Sequence, residues 1–276
     1  MIKITGAVSI SACLLLALSA CTQESTTNTT TAAENTEQAH TLRIAAAANL
    51  SDVLSAIVEG YKTDKGLPNQ DIDITFASSG KLYAQITAGA PYDIFLSANQ
   101  EFPAKLAVDS SQAEMSHQPF TYAQGQLALY SVTKSLAALK PAALTELLMS
   151  DAGSKITIAS PELAPYGASA KSYLQSQGVY EALEQQKCLI QAENIGQAFQ
   201  YAHTGSVDYG FVAQSQITAI KATPEQFVTL APESYPAILQ DGIVTSDVST
   251  ATDFTDYLRS PAGQQYFSQA GYLTLQ

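Results

Sequence analysis

The sequence predicts an α/β protein of two lobes, each built on a mostly parallel sheet, with a cleft between them. Three observations predict it. From residue 42 onward, short apolar strands alternate with amphipathic helices. One junction recurs, in which an apolar strand runs into a small, neutral, hydrogen-bonding corner that opens a helix. Its instances are Ala45-Ala46-Ala47-Ala48-Asn49, Phe76-Ala77-Ser78-Ser79-Gly80, Ala159-Ser160-Pro161 with Pro165-Tyr166-Gly167 just after it, and Glu193-Asn194-Ile195-Gly196. Finally, the chain breaks at a loop containing Pro119 and Gly125 and again at residues 235–239, which implies two crossings between lobes.

Taken in order, residues 42–47 read as an apolar strand and 51–65 as an amphipathic helix. Val53, Leu54, Ile57, Val58 and Tyr61 share one face of that helix, and Gly66-Leu67-Pro68-Asn69 stops it. A strand over 72–76 leads to a helix over 81–88, closed by Gly89 with Pro91 beyond. A strand over 93–97 and a short helix over 102–108 finish this part. After the first crossing come a strand over 126–131, a helix over 143–149, a strand over 155–159 and a helix over 168–177 closed by Gly178. Helical residues 180–186 follow, then a strand at 188–192, a helix at 195–202 ended by Gly205, a strand at 207–213 and a short helix at 214–220. After the return crossing, helices over 254–258 and 263–270 are separated by Pro261. The expected lobes are therefore 42–122 with 238–276, and 123–237.

The chain has 276 residues, and its first 20 read as a targeting segment. Lys3 is the single charge before Cys21, the apolar centre is Leu14-Leu15-Leu16-Ala17-Leu18, and the run is too short for a membrane span. It ends Leu18-Ser19-Ala20-Cys21, which resembles a bacterial lipobox and makes Cys21 the lipidation candidate. Acyl chains contribute about 0.8 kcal/mol per buried CH₂, so the expectation is attachment to a membrane by lipid anchor only. Residues 21–41, rich in Thr, Asn, Gln, Glu and Ala, read as a flexible tether. The folded remainder is long enough for one large domain or two small ones.

Formal net charge is −12, from 13 Lys and Arg against 25 Asp and Glu. An acidic far field argues against nucleic acid and against polybasic membrane contact. Without Cys13 in the leader and Cys21, only Cys188 is left, so no disulfide framework is expected; Cys188 reads as a half-buried strand residue. There is no Gly-x-Ser-x-Gly elbow, no His-Glu-x-x-His and no phosphate-binding Gly-rich loop, and His40, His117 and His203 are scattered. The chain is therefore expected not to be an enzyme and to need no cofactor.

The corners carry the chemistry. A helix N-terminus presents unpaired N–H groups and about half a positive charge, so each corner suits an anion. Several together would hold an oxyanion without Lys or Arg. Taken singly, Asn49 and Ser79 are equally plain N-caps, the commonest role of such residues before a helix. Tyr166 is equally a surface turn aromatic, Ile195 a core residue, and Lys81 an exposed helix lysine.

Five segments together resemble the periplasmic molybdate-binding protein (ModA) family of ABC transporters. They are Ala45–Leu50, Phe76-Ala77-Ser78-Ser79-Gly80-Lys81-Leu82, Gly89-Ala90-Pro91-Tyr92-Asp93-Ile94-Phe95-Leu96-Ser97, Pro161-Glu162-Leu163-Ala164-Pro165-Tyr166-Gly167 and Glu193-Asn194-Ile195. The resemblance runs over residues 42–276. It implies a type II periplasmic-binding-protein fold, capture of molybdate and comparably of tungstate, and a partner permease and ATPase. It further implies a monomer on the periplasmic side of the cell envelope. Carried over residue by residue, it implies ligation through Asn49, Ser79 and the backbone N–H groups of Tyr166 and Ile195. Ser51 and Ser78 would stand behind them, though by type and position both read first as helix caps. The family's last position, often a Tyr, is Ala213 here, which has no side-chain donor; the Tyr166 hydroxyl is a candidate to compensate. The alternatives are another ligand on the same fold (sulfate, phosphate or ferric ion) and an α/β hydrolase such as a phosphatase.

Overall fold

A computed structural model describes residues 40–109, 118–137, 139–140, 143–151, 153–273 and 275. The expected leader, Cys21, His117 and all but the last two tether residues lie outside the described residues.

The architecture is two five-stranded mixed sheets with flanking helices. The first has the order β2-β1-β3-β10-β4, with β1 Leu42–Ala47, β2 Ile72–Ala77, β3 Ile94–Leu96, β4 Phe120–Gly125 and β10 Ile238–Val244. The second has the order β7-β6-β8-β5-β9, with β5 Leu127–Tyr130, β6 Ile156–Ala159, β7 Leu189–Ala192, β8 Tyr209–Ala213 and β9 Phe227–Thr229. Each sheet contains one reversed strand: β10 runs antiparallel to β3 and β4, and β5 runs antiparallel to β8 and β9. These are the strands on which the chain enters or re-enters a sheet. A single residue, Gln126, separates β4 from β5, and the Leu127 N–H donates to the Tyr235 hydroxyl at 3.0 Å, tying the outward crossing to the return.

Helices α1 Ser51–Lys65, α2 Ser79–Thr87, α3 Glu101–Asp109, α9 Ser249–Arg259 and α10 Pro261–Gln269 flank the first sheet. The expected face of α1 is its buried face, where Tyr61 meets Phe254 and Tyr257 edge-on. The remaining helices are α4 Leu144–Ser150, α5 Pro165–Ser176, α6 Tyr180–Gln185, α7 Ile195–His203 and α8 Gln214–Ala219. They flank the second sheet around a core that includes Leu129, Ile158, Ala170, Leu174 and Phe211. Cys188 is fully buried just before β7 rather than half-buried within it.

Several elements depart from the sequence expectation, among them strand β9, which was not expected, and α9, which begins at Ser249 rather than at residue 254. Residues 120–125, expected as a crossing loop, form edge strand β4, and the expected lobe boundary at residue 122 falls inside it. Gly125, which reads as a break, is glycine because a Cβ there would overlap the Tyr166 hydroxyl and the Gln240 amide. Residues 235–239, expected as the return crossing, lead straight into β10, which carries a register shift between Gln240 and Asp241. Helix α5 begins at Pro165, three residues earlier than expected, because proline suits the first helical position.

Candidate functional site

The carboxyl ends of β1, β2, β6 and β7 all open into helical segments at one small cavity. It is lined by Ala47, Ala48 and Asn49, by Ala77, Ser78 and Ser79, by Ala98, by Ala164, Pro165 and Tyr166, and by Asn194 and Ile195. The four recurring corners therefore meet, two from each sheet. The cavity measures about 10 Å³, space for a single small centre, and none of its lining residues is charged. A larger surface depression of about 340 Å³ beside Thr121 and Arg259 offers no such donor set, and Arg259 there is bonded to Asp256 at 2.6 Å.

Each corner contributes differently. Ser78 precedes α2 in extended backbone but caps nothing: its hydroxyl is buried and has no hydrogen-bond partner. The plain N-cap reading of this residue therefore fails. The Ser79 hydroxyl accepts the Ala98 N–H at 2.9 Å, which leaves its own proton uncommitted among the described bonds. Tyr166 and Ile195 sit in the first turns of α5 and α7, where backbone N–H groups have no intrahelical acceptor. No bond from either N–H occurs among the described residues. Asn194 is a true N-cap; its Oδ1 accepts the Gln197 N–H at 3.0 Å.

Asn49 is 1% exposed and lies in the 3₁₀ segment Ala48–Leu50. Its Nδ2 stands 3.0 Å from Gln240 Oε1 and 2.9 Å from the Tyr272 hydroxyl, while its Oδ1 is buried without a partner. Behind it lies a polar cluster absent from the sequence expectation. Tyr122 OH is 2.8 Å from the Ser97 carbonyl and 3.1 Å from Gln240 Oε1, and Gln240 Nε2 is 3.2 Å from the Tyr166 hydroxyl. The Asn49 carbonyl accepts from Tyr272 at 2.9 Å and from Ser215 at 3.2 Å. Burial pushes the Tyr166 and Tyr122 hydroxyls well above their ordinary range, with Tyr272 adding to both, and pushes Tyr272 itself up to about 12. All three stay neutral at physiological pH.

The structure thus brings Asn49, Ser78, Ser79, Tyr166 and Ile195 together. Ser51 does not line the cavity; its hydroxyl lies 3.4 Å from its neighbour Asp52. Ala213 does not line it either, being buried at the end of β8 with its N–H on Gln216 Oε1 at 3.0 Å. The Tyr166 hydroxyl accepts from Gln240 Nε2 at 3.2 Å. Lys81 points at solvent and pairs with Glu193 at 2.5 Å, across the mouth from first-sheet side to second. The Gly80 N–H donates to the Leu163 carbonyl at 2.9 Å along the same seam. Among the described residues no group of three or more His, Cys, Asp or Glu is placed to hold a metal ion. No described helix is long and apolar enough to cross a membrane.

Comparison with known proteins places this geometry. Residues 42–273 match the model of a family described as bacterial extracellular solute-binding protein. The molybdate-binding protein ModA of Rhodobacter capsulatus is 35% identical over 206 residues, covering 74% of this chain and 77% of that protein. ModA of Azotobacter vinelandii is 31% identical over 242 residues, covering 85% and 90%. The solved Azotobacter vinelandii periplasmic molybdate-binding protein superposes with a TM-score of 0.76 at 28% identity, over 85% of this chain and all of that one.

Proposed function

The chain belongs to the bacterial extracellular solute-binding proteins, in their molybdate-binding ModA family, and from that membership we propose that it captures molybdate for an ABC importer. The observation that carries the reading is a small, uncharged cavity at which four helix N-termini converge, two from each sheet. A fully ionised tetrahedral oxyanion needs donors only. Hydroxyl protons of Ser78 and Ser79 and the N–H groups of Tyr166 and Ile195 are such donors, with Asn49 lining the cavity beside them, and bonds to a charged acceptor are stronger than neutral ones. Neutral donors bring no counter-charge to be desolvated, so the burial penalty of an ion pair does not arise.

Tungstate, of nearly the same size and charge, binds comparably in this reading. Sulfate and phosphate, both smaller than molybdate, are rejected by size. Closure traps the anion, and the closed lobes present it to a permease with its ATPase; Cys21 anchors a monomer on the periplasmic side. Binding without catalysis suits a site that has no nucleophile with an activating base.

The test is isothermal titration of a soluble form beginning at residue 22, which keeps every described element. The ligands are molybdate, tungstate, sulfate and phosphate. One-to-one binding of the first two alone is expected. Binding of sulfate or phosphate in their place moves the substrate, and binding of none overturns the oxyanion reading.

A further inference from the structure

The residues that open α2 do not all serve the cavity. Ser79 lines it, but the next residue, Gly80, is buried and donates its N–H to the Leu163 carbonyl at 2.9 Å. Leu163 belongs to the second sheet's side, so this bond crosses the mouth. A first-turn N–H has no acceptor within its own helix; here it finds one on the opposite wall. Leu163 is held ready for it. The N–H groups of Leu163 and Ala164 both bond back to the Ser160 carbonyl, at 3.3 and 2.8 Å. The Ser160 N–H in turn donates to Ala192, at the end of β7, at 2.7 Å. Three residues after Leu163, Tyr166 lines the cavity. Each wall therefore carries a cavity residue and a mouth contact on one short stretch of chain.

Gly80 is glycine for this contact. Its backbone is helical and its φ lies outside the left-handed region, so other residues suit it conformationally. Glycine inside a helix is moreover less stable than alanine. What opposes a side chain is the far wall. A Cβ would stand 3.1 Å from Leu163 Cα and 3.2 Å from its carbonyl oxygen, both backbone atoms. The remaining neighbour, Phe102 Cζ at 3.2 Å, is the far end of a side chain on Gly80's own side. The Lys81–Glu193 pair spans the same mouth but is exposed, and such pairs contribute little.

We propose that Gly80 and Leu163 form a latch that shuts the mouth without reference to the ligand. The latch presupposes the lobe closure of the capture reading above, and fixes which contact sets retention. Its bond needs no anion, so the ligand-free chain visits the shut arrangement, and an anion that has entered is held by it. Exchanging water for one backbone bond shifts such an equilibrium about two- to tenfold, so shutting stays reversible. The cavity donors decide which anion is kept, and the latch decides for how long. A backbone bond at the mouth does not tell one anion from another, so losing it weakens molybdate and tungstate alike.

Gly80→Ala and Gly80→Val test the latch on the soluble form beginning at residue 22. Stopped-flow tyrosine fluorescence should show molybdate release about 5- to 150-fold faster in Gly80→Val, with Gly80→Ala between it and the parent. The association rate should stay within about twofold. The molybdate-to-tungstate affinity ratio should match the parent's. A folded Gly80→Val with the parent's release rate, or with an altered ratio, overturns the latch. The second arm needs no ligand. Spin labels on Ala84→Cys in α2 and Gln200→Cys in α7, both exposed, report the separation across the mouth by electron–electron resonance. Cys188, the one native cysteine of that form, is buried. The ligand-free parent should show the shut separation beside a longer one, and Gly80→Val should lose it. A parent without the shut population, or a Val variant that keeps it, overturns the latch. Should Gly80→Val not fold, Gly80→Ala carries both comparisons, since its Cβ already meets the Leu163 backbone. If the parent binds no molybdate, the substrate reading falls, while the distances still decide the latch.

Discussion

Removing the two serine hydroxyls one at a time separates binding from folding. Ser78 and Ser79 are adjacent, buried and at the same cavity, but only Ser79 has a structural partner. Each hydroxyl that donates to an oxyanion contributes about 1.5–3 kcal/mol, so either Ser→Ala change should weaken molybdate binding about 10- to 150-fold. Ser79→Ala also leaves the Ala98 N–H without its acceptor at 2.9 Å, a cost of about 1–3 kcal/mol to the ligand-free fold. For a domain of this size that lowers Tm by roughly 2–10 °C. Ser78→Ala deletes a buried hydroxyl that bonds to nothing, so the ligand-free Tm should hold or rise. Isothermal titration and thermal melts on the soluble form read the two effects independently. Ser78→Ala with unchanged affinity would refute the claim that its free hydroxyl serves the ligand. Equal Tm losses in both variants would refute the partner assignment.

Gly125→Ala should cut molybdate affinity about 5- to 150-fold, because the added Cβ meets the Tyr166 hydroxyl and the Gln240 amide and such overpacking costs about 1–3 kcal/mol; adding Tyr166→Phe should restore part of the loss in the same titration. Lys81→Met should raise the molybdate release rate up to about fivefold at low salt and not at high salt, since the Lys81–Glu193 pair across the mouth is exposed. With no Trp and 14 Tyr in the chain, stopped-flow tyrosine fluorescence is the readout. Burial alone would raise the Asp93 pKa, but the Arg43 N–H at 2.8 Å and His40 at 3.1 Å outweigh it and hold the carboxyl below its ordinary value. A depressed folded pKa contributes stability that is complete above the ordinary aspartate value and lost as pH falls through the lower folded one. Asp93→Asn should therefore lower Tm at neutral pH and flatten its acid decline; an unchanged acid slope would contradict the assignment.

What was legible in the sequence followed from local rules. Strand-to-corner-to-helix junctions are short-range, so the residues of all four corners were readable, and the structure brings Asn49, Ser79, Tyr166 and Ile195 to one cavity. The hinge side was not readable, for a physical reason. Gly125 looks like loop punctuation and residues 235–239 like a bare crossing, yet Phe120–Gly125 and Ile238–Val244 are strands. Gly125 makes room for Tyr166, and a Cβ at Gly242 would press on Phe120 and Leu96. Those are long-range packing demands, with no local signature. For the same reason Gln240, Tyr122 and Tyr272 escaped notice, since their importance lies in contacts with Asn49 or Tyr166 far away in the chain. Ser78 was misread as a cap because its type and position fit one; only its empty hydroxyl distinguishes it.

A site made of neutral donors in an acidic protein also carries a kinetic signature. The formal net charge of −12 repels a dianion at long range, while the helix N-termini attract it only within the cavity. Lys81, the cation nearest the mouth by its place in α2, is neutralised by Glu193 and offers little steering. Salt screens the far field over about 10 Å at 0.1 M but leaves short contacts in the closed site nearly untouched. The association rate for molybdate should therefore rise with ionic strength while the release rate changes little, the reverse of a site built on Lys or Arg. Stopped-flow rates across a series of chloride concentrations measure it. A rate that falls with added salt would mean that a local positive field governs capture, and the account of a cavity built on neutral donors would have to give way to one with a cation at its entrance.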